Sequence, residues 1–352
     1  MGEGDGGGDR RARMLAAVAE RRDRVNEAVV EDLPSAEPER LYAASQHLIE
    51  AGGKRLRPAL VLLVAESLAE GEATVEQPGV DYRSFPAPSG GDVDVMAAAV
   101  GVELIHTFTL AHDDIMDDDD MRRGERAVHH EYDLSTAILA GDTLFAKGFE
   151  LMSATGAAPT NQLAAIRRLA ETCTRICEGQ ALDVEFEQAA EVLPADYTRM
   201  IELKTAVLYG AAAAIPAILL GADDGTVEAL YQYGVESGTA FQIHDDVLDL
   251  TVPSDELGKA RGSDLLEGKQ TVITLHARQQ GVDVDGLLGE NPTEEEIDAA
   301  VSRLREAGSI EFAGERAAEL TASSKERLSV LPEGPARTML TGLADYLIER
   351  NH

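Results

Sequence analysis

The stretch Phe241–Asp249 reads FQIHDDVLD, and the stretch Leu110–Asp117 reads LAHDDIMD, so the same DDxxD spacing occurs twice, 132 residues apart. Each cluster follows a histidine in a segment whose apolar residues otherwise predict a helix. Residues four positions apart lie on one face of a helix, so the first and last aspartates of each cluster share a face. Carboxylate oxygens suit Mg²⁺, which completes its shell with water and substrate phosphate. The pair predicts a magnesium-bridged diphosphate site between helices.

A solvated acidic surface is the alternative reading of one such cluster, because the chain contains 64 acidic residues in 352. Charge runs are usually solvated faces. Two copies with identical spacing in apolar surroundings favour the metal-site interpretation.

The composition predicts an all-α fold. Apolar residues make up 44% of the chain, aromatic residues only 4%, and tryptophan is absent. Alanine and leucine dominate the apolar set, which favours helices over sheets. We expect a flexible Gly-rich acidic tail at residues 1–10 and a single domain over residues 11–352, with a long surface loop at about 71–94.

The net charge of −33 argues against nucleic acid and anionic membrane surfaces as partners. The self-repulsion of such a charge is screened at high salt, where the Debye length is about 3 Å at 1 M. The acidic, lysine-poor composition therefore indicates a halophilic protein in a salt-rich cytoplasm. The N-terminus lacks an apolar signal segment. The uncharged run 205–222 is too weakly apolar for a membrane span and predicts a core helix.

Basic residues follow both aspartate clusters and precede the first. Gly52–Pro58 reads GGKRLRP and follows a predicted helix that ends at Ala51. Its glycines allow a tight turn, and Pro58 suits the first turn of the next helix. The backbone N–H groups of this turn, together with its basic side chains, form a candidate anion-binding site. A simple helix–helix loop explains this segment equally well when it is taken alone. Arg122 and Arg123 follow Asp117 closely, and arginine forks suit diphosphate oxygens.

These motifs together resemble the trans-isoprenyl diphosphate synthases of the polyprenyl synthetase family, over about residues 35–350. The segments that carry the resemblance are GGKRLRP (52–58), DDIMD with RRG (113–124), GQALD (179–183), KT (204–205), FQIHDDVLD (241–249) and the later GK pairs at 258–259 and 268–269. The family usually reads RRGxPTxH after the first cluster, whereas this chain has Arg126–His129 there, so the local loop contact departs from the pattern.

The resemblance implies the isoprenoid-synthase helical bundle with a central cavity, and it implies a role for individual residues. Isopentenyl diphosphate would be bound by Lys54, Arg57, His106 and Arg123. Two to three Mg²⁺ ions, replaceable by Mn²⁺, would be held by Asp113, Asp117 and Asp245. The allylic diphosphate would be contacted by Arg122, Lys204, Thr205, Gln242, Lys259 and Lys269. The catalytic set would be Asp113, Asp117, Asp245, Lys204 and Arg122.

The activity implied by the resemblance is head-to-tail condensation of isopentenyl diphosphate with dimethylallyl, geranyl and farnesyl diphosphates, by a cytoplasmic homodimer. Phe108 and Thr109, five and four residues before Asp113, are expected to set product length. A single aromatic residue at Phe108 resembles the archaeal geranylgeranyl (C20) type, and farnesyl or farnesylgeranyl products are the alternatives. A non-catalytic subunit, a terpene cyclase and a metal-dependent phosphohydrolase are rival readings.

Overall fold

The computed structural model describes residues 6–33, 35–69, 80–88, 90–186, 189, 192–253, 261–289 and 292–349. The elements before residue 154 are α1 (Gly6–Asp32), α2 (Glu39–Glu50), α3 (Leu56–Leu68), β1 (Phe85–Pro86), β2 (Asp92–Val93), α4 (Val95–Met116), β3 (Met121–Arg122), β4 (Glu125–Arg126), α5 (Val128–Glu131) and α6 (Leu134–Ser153). From residue 159 follow α7 (Pro159–Phe186), α8 (Pro194–Ile201), the π-turn Glu202–Ala206, α9 (Val207–Leu220), α10 (Asp224–Thr251), α11 (Ser263–Leu266), α12 (Val272–Gln279), α13 (Glu294–Glu306), α14 (Ser309–Arg327), a 3₁₀ turn (Leu328–Val330) and α15 (Pro335–Glu349).

The chain divides into two compact units. Unit 1 comprises residues 1–173, 211–231 and 330–342, and unit 2 comprises residues 174–210, 232–329 and 343–352. The predominance of helix confirms the all-α prediction. The assignment of residues 11–352 to a single domain stays a prediction.

Helix α4 forms the centre of unit 1 and packs against α1, α3 and α6. Its residues from Val95 to Ile105 are all buried. A surface helix would show one apolar stripe, but α4 is apolar on every side, which is the pattern of a helix enclosed by neighbours. The polar residues of α4 lie in its C-terminal part, from Glu103 onward, and the first aspartate cluster lies at its end.

Unit 2 is built around α12, which packs against α8, α13 and α14. Its buried core includes Ile243 and Leu250 of α10 and Ile273 of α12. The capping box that the sequence predicts at Thr293 is present: its side chain accepts from the N–H of Glu296, whose carboxylate accepts from the N–H of Thr293. This pairing satisfies N–H groups that a helix start otherwise leaves without partners and fixes where α13 begins.

Two short hairpins interrupt the helices. Strands β1 and β2 pair antiparallel, with Phe85 opposite Val93. They lie in the segment 71–94, which we predicted to be a surface loop. Most of the described residues from 80 to 94 are exposed or half-buried, as in a surface loop, but Tyr82, Phe85 and Val93 are buried in unit 1 and anchor the segment. Residues 70–79 lie outside the described residues. Helix α1 begins at Gly6, within the predicted tail.

Within the part of the chain that the structure describes, two helical segments are long and apolar enough to cross a membrane by length and composition, Val95–Met116 and Pro194–Leu220. In each, most of the apolar window is buried inside the protein, 72% and 83% respectively. Burial of this extent is typical of core helices. The second segment contains residues 205–220 of the run 205–222, for which the sequence predicts a core helix.

Candidate active site

The first aspartate cluster closes α4. The N–H of Asp117 donates to the carbonyl of Asp113 at 2.8 Å, so the helical spacing extends through the cluster. Asp113 is half-buried and Asp117 is exposed at the helix end. Because the spacing is that of a helix, both side chains start from one face. Their carboxylate oxygens fit the hard-oxygen preference of Mg²⁺.

The second aspartate of this cluster has a different environment. Asp114 is only 1% exposed, and its Oδ1 accepts a hydrogen bond of 2.6 Å from Nε of Arg122. Arg122 also donates to Asp119 at 3.1 Å. The arginine predicted to bind the allylic diphosphate is thus held by Asp114 of α4 and by Asp119 of the turn that follows α4. Asp114 had no predicted role.

A tight turn brings Arg123 beside the GGKRLRP segment in unit 1. The Arg123 guanidinium donates to the carbonyl of Gly52. Gly53 has φ of +143°, and a Cβ at this position would lie 2.5 Å from a guanidinium nitrogen of Arg123. A side chain at position 53 would be strained by this backbone conformation, and its Cβ would collide with the Arg123 guanidinium where that group now lies. The glycine pair therefore allows a cation to approach the backbone, and Lys54, which is exposed, follows directly.

His106 lies two helical turns before Asp113 and is surrounded by cations. Arg57 Nη1 lies 3.0 Å from Nε2 of His106, and because arginine can only donate, this ring nitrogen accepts. Burial lowers the pKa of His106 well below its ordinary value of 6.5, and the nearby arginines, of which Arg57 and Arg123 contribute most, lower it further. His106, Arg57 and Arg123, three of the four residues predicted to bind isopentenyl diphosphate, therefore lie close together. The imidazole among them is neutral and the two guanidinium groups are charged.

The second aspartate cluster, in unit 2, also places its second carboxylate in the interior. The hydroxyl of Tyr197 donates to Asp246 Oδ2 at 2.5 Å, and Asp246 is 4% exposed. Burial raises the pKa of Asp246 well above its ordinary value of 3.8. Gln242 donates to the other oxygen of this carboxylate at 3.5 Å and accepts from Thr205 Oγ1 at 3.3 Å. Two predicted allylic-diphosphate residues thus belong to one hydrogen-bonded chain.

The last aspartate of this cluster does not share the environment of the first. Asp249 is 1% exposed and accepts from Ser263 Oγ at 2.8 Å and from the N–H of Asp264 at 3.2 Å. Asp249 is therefore enclosed in the interior, and its carboxylate holds the start of α11. Asp245 is half-buried.

Lys204 lies in the π-turn that precedes α9. Its Nζ donates to Asp183 Oδ2 at 2.5 Å. Four residues before Asp183, Gly179 faces this turn so closely that a Cβ there would overlap the backbone of Leu203 and Lys204. The GQALD and KT segments therefore meet because a glycine lets α7 touch the backbone that carries the lysine.

The other two lysines predicted to contact the allylic group differ in their surroundings. Lys269 Nζ lies 2.9 Å from Glu267 Oε2 and 3.8 Å from Asp264 Oδ1, and its side chain is 55% exposed. It follows the α11 segment that Asp249 holds. Lys259 lies outside the described residues.

Phe108 and Thr109 differ in what they contact. The ring of Phe108 packs edge-on against Phe145 of α6, with centroids 5.1 Å apart, and Phe145 continues to Phe149 at 5.0 Å. Thr109 Oγ1 donates to the carbonyl of His106 at 2.7 Å, so its hydroxyl is turned back to its own helix. Phe145 and Phe149 had no predicted role, although they are four residues apart and so share a helix face.

Comparison with known proteins agrees with this geometry. The sequence model described as "Polyprenyl synthetase" matches residues 38–304. A geranylfarnesyl diphosphate synthase of Natronomonas pharaonis is 62% identical over 96% of this chain and 98% of the relative. A geranylgeranyl diphosphate synthase of Methanosarcina mazei is 46% identical over 96% and 98%. The solved structure of a geranylgeranyl pyrophosphate synthetase from the archaeon Geoglobus acetivorans superposes with a TM-score of 0.84 at 43% identity, over 95% of this chain and 99% of that one. Agreement over nearly the full length in both sequence and fold means that this chain belongs to the polyprenyl synthetase family.

Proposed function

We propose that this short-chain trans-prenyltransferase adds isopentenyl diphosphate to dimethylallyl, geranyl and farnesyl diphosphates and releases a C20 product, geranylgeranyl diphosphate. The observation that carries the C20 assignment is the aromatic row Phe108–Phe145–Phe149 in unit 1, whose first ring lies five residues before Asp113 on α4. Large rings in this row would stop a growing chain.

Isopentenyl diphosphate binds, in this proposal, to the cations beside the Gly52–Gly53 turn. Arg57 and Arg123 supply guanidinium groups, which pair with phosphate oxygens in a bidentate way. His106 accepts from Arg57 and so orients that side chain. Lys54 is exposed at the same turn and can reach a bound diphosphate.

Within unit 2, the groups that we assign to the allylic diphosphate are Lys204, Thr205, Gln242 and the later lysines. Asp183 and Asp246 hold Lys204 and Gln242 in place. Fixing these side chains before the substrate arrives reduces the reorganisation that the reaction requires.

Asp113, Asp117 and Asp245 are the residues that would hold magnesium. The bound ions would stabilise negative charge on the departing diphosphate. The allylic C–O bond then breaks, the isopentenyl double bond forms the new C–C bond, and a proton is lost from the adduct. Released diphosphate carries away the bonding electron pair of the C–O bond. Apolar surroundings would keep water from the cationic carbon.

A C25 product is the second candidate. The Natronomonas pharaonis relative, at 62% identity, is named geranylfarnesyl diphosphate synthase, and so is a 36% identical relative from Aeropyrum pernix. The Methanosarcina mazei and Geoglobus acetivorans relatives are named for the geranylgeranyl product.

One assay tests the proposal. The purified chain in molar KCl and Mg²⁺ is given labelled isopentenyl diphosphate with dimethylallyl, geranyl or farnesyl diphosphate. Its products are dephosphorylated and separated by reversed-phase chromatography. A C20 alcohol is expected from all three primers. A dominant C25 alcohol would instead assign the second candidate, whereas cyclic hydrocarbon, free phosphate alone or no product would contradict prenyl elongation by this chain.

We further propose that the protein acts as a homodimer. The exposed apolar residues Leu134, Ile138 and Leu139 lie on α6, and exposed apolar side chains that share a helix mark candidate interfaces. Sedimentation of the purified chain at micromolar concentration should give twice the chain mass, and a monomer would contradict the assignment.

A further inference from the structure

A cluster of three potential metal ligands lies beside the first aspartate motif but shares no residue with it. Asp118, His129 and His130 each offer one ligand atom, and these three atoms lie within 4.8 Å of one another. Two imidazoles and one carboxylate form a different donor set from the all-carboxylate motif. All three residues belong to unit 1.

The backbone brings these residues together across eleven positions of sequence. Asp118 adopts a left-handed conformation with φ of +55° immediately after α4, which turns the chain away from the helix axis. Strands β3 and β4 then form a hairpin, and the N–H of Ala127 donates to the carbonyl of Asp120 at 3.0 Å. That bond returns the start of α5, which carries both histidines, to the end of α4.

The histidines are poorly satisfied by protein groups. Among the described residues, neither ring nitrogen of His129 has a hydrogen-bond partner, although both are shielded from solvent. The two imidazole rings lie with centroids 4.1 Å apart. Nε2 of His130 lies 3.2 Å from Asp120 Oδ1, which provides a further carboxylate at the edge of the cluster. A buried polar atom without a partner requires an explanation, and an unseen ion is one of the recognised causes.

We propose that Asp118, His129 and His130 bind a divalent first-row transition metal ion such as Zn²⁺. Imidazole nitrogen is a preferred ligand of zinc and its neighbours, whereas Mg²⁺ prefers oxygen ligands. Ligands about 2.1 Å from a tetrahedral zinc ion lie about 3.4 Å apart. The ligand atoms of Asp118, His129 and His130 now lie within 4.8 Å of one another. Side-chain rotations that move each atom by about 1 Å would bring them to the zinc spacing.

The ion would tie the hairpin and α5 to the end of α4. The ion pair of Arg122 with Asp114 already holds this hairpin to α4. A metal at Asp118 and the histidines would add a second attachment to the same segment, which also carries Arg123. The site would thus fix the loop that carries two predicted diphosphate ligands, and its occupancy does not depend on the product that the enzyme makes.

Cobalt absorption tests the proposal directly. The full chain, freed of metals with a chelator, is titrated with Co²⁺ in molar KCl and excess Mg²⁺, which saturates the carboxylate sites. We expect one tight equivalent of Co²⁺ with a visible d–d band, and displacement of that band by Zn²⁺. His130→Gln and Asp118→Asn should each weaken binding at least roughly tenfold, the lower end of the loss produced by disturbing even outer-shell partners of a metal.

Two further variants separate this site from others. His276→Gln removes a histidine of unit 2 that is hydrogen-bonded to Ser309, and it should leave the cobalt band unchanged. Asp245→Asn should also retain the cobalt band while it lowers prenyl transfer. A wrong magnesium assignment would therefore show in the prenyl-transfer rate of this variant, whereas a wrong assignment of the present site would show in the cobalt band of His130→Gln and Asp118→Asn. Absence of a stoichiometric cobalt band, or a band that persists unchanged in His130→Gln and Asp118→Asn, would overturn the proposal.

Discussion

The hydroxyl of Tyr197 donates a hydrogen bond of 2.5 Å to Asp246, a residue 49 positions away and the second aspartate of its cluster. Asp114, the second aspartate of the other cluster, is likewise buried and held by Arg122. In both clusters the first aspartate is half-buried and the second is enclosed by protein. The repeated DDxxD spacing thus places a half-buried carboxylate next to an enclosed one in each cluster, and protein groups hold the enclosed carboxylate.

Replacing Tyr197 with phenylalanine should destabilise the second cluster. The variant leaves a buried carboxylate with only the long contact to Gln242, and loss of a partner for a buried polar group costs about 1–3 kcal/mol. Denaturant titration should register this loss in the free energy of unfolding, together with reduced prenyl transfer. Tyr132→Phe is the control, since the contacts of Tyr132 are made by its ring. Equal stability of the two variants would contradict a structural role for the Tyr197 hydroxyl.

Prenyl transfer should require the first aspartate of each cluster and a divalent ion. Asp113→Asn and Asp245→Asn should each lower turnover on the order of 100-fold or more. Each variant removes a predicted ligand of the metal ions whose positive charge would stabilise the departing diphosphate. Chelation should abolish turnover, and Mg²⁺ or Mn²⁺ should restore it. Asp142→Asn, which alters an exposed carboxylate of α6, should keep near-normal rates. Near-normal rates in all three variants would show that the metal assignment is wrong.

Acid should destabilise the protein partly through His106. The pKa of this imidazole is lowered in the fold, so below its ordinary value of 6.5 the unfolded chain binds a proton that the folded chain does not. The part of the folding stability that depends on a neutral His106 is fully present above pH 6.5, and it is lost as the pH falls toward the lowered pKa of the folded state. Melting temperatures at pH 7.5 and 5.5 should differ more for the wild type than for His106→Gln. An equal pH response of both proteins would contradict this account.

Shrinking the Phe108 ring should lengthen the product. Phe108→Ala removes the first ring of the row that continues to Phe145 and Phe149, and the space would admit further isoprene units. Chromatography of the dephosphorylated products should resolve longer chains than the wild type makes. Phe312→Ala, which truncates a 38% exposed ring of α14, is the matched control. An unchanged product distribution in Phe108→Ala would mean that other residues stop elongation.

Folding should depend on salt because the net charge is −33. At 0.1 M salt the Debye length is about 10 Å, and at 1 M it is about 3 Å, so dilution restores repulsion between surface carboxylates. Circular dichroism across a KCl series should record loss of helix, or a lower melting temperature, as KCl is diluted. A melting temperature that stays constant across the series would refute the expectation.

Local sequence rules predicted the features that neighbouring residues determine. The end of α2 at the Gly52–Gly53 turn, the start of α3 near Pro58 and the capping box at Thr293 all depend on residues within one helical turn. Strands β1 and β2 were missed because each is only two residues long, too short for an alternating pattern.

The supporting residues of the site could not be predicted in the same way. Tyr197 meets Asp246 across 49 residues, and Lys204 meets Asp183 across 21, so only the tertiary fold brings them together. The spacing of Gly179 and Asp183 within GQALD carried one usable signal. A glycine and an acid four residues apart on a helix indicate close packing beside a carboxylate.

The π-turn Glu202–Ala206 makes the position of Lys204 depend on the length of its helix as well as on its sequence. Here the N–H of Val207 reaches the carbonyl of Glu202, five residues back, so the turn holds one residue more than an α-helix would. Each residue of an α-helix advances the direction of its side chain by about 100°. Removing a single residue from this turn would re-aim every upstream side chain of the continuous α8 segment, even though no ligand had been substituted. Insertions and deletions in this turn should therefore be tolerated less well than point substitutions, because they change the direction of many side chains at once.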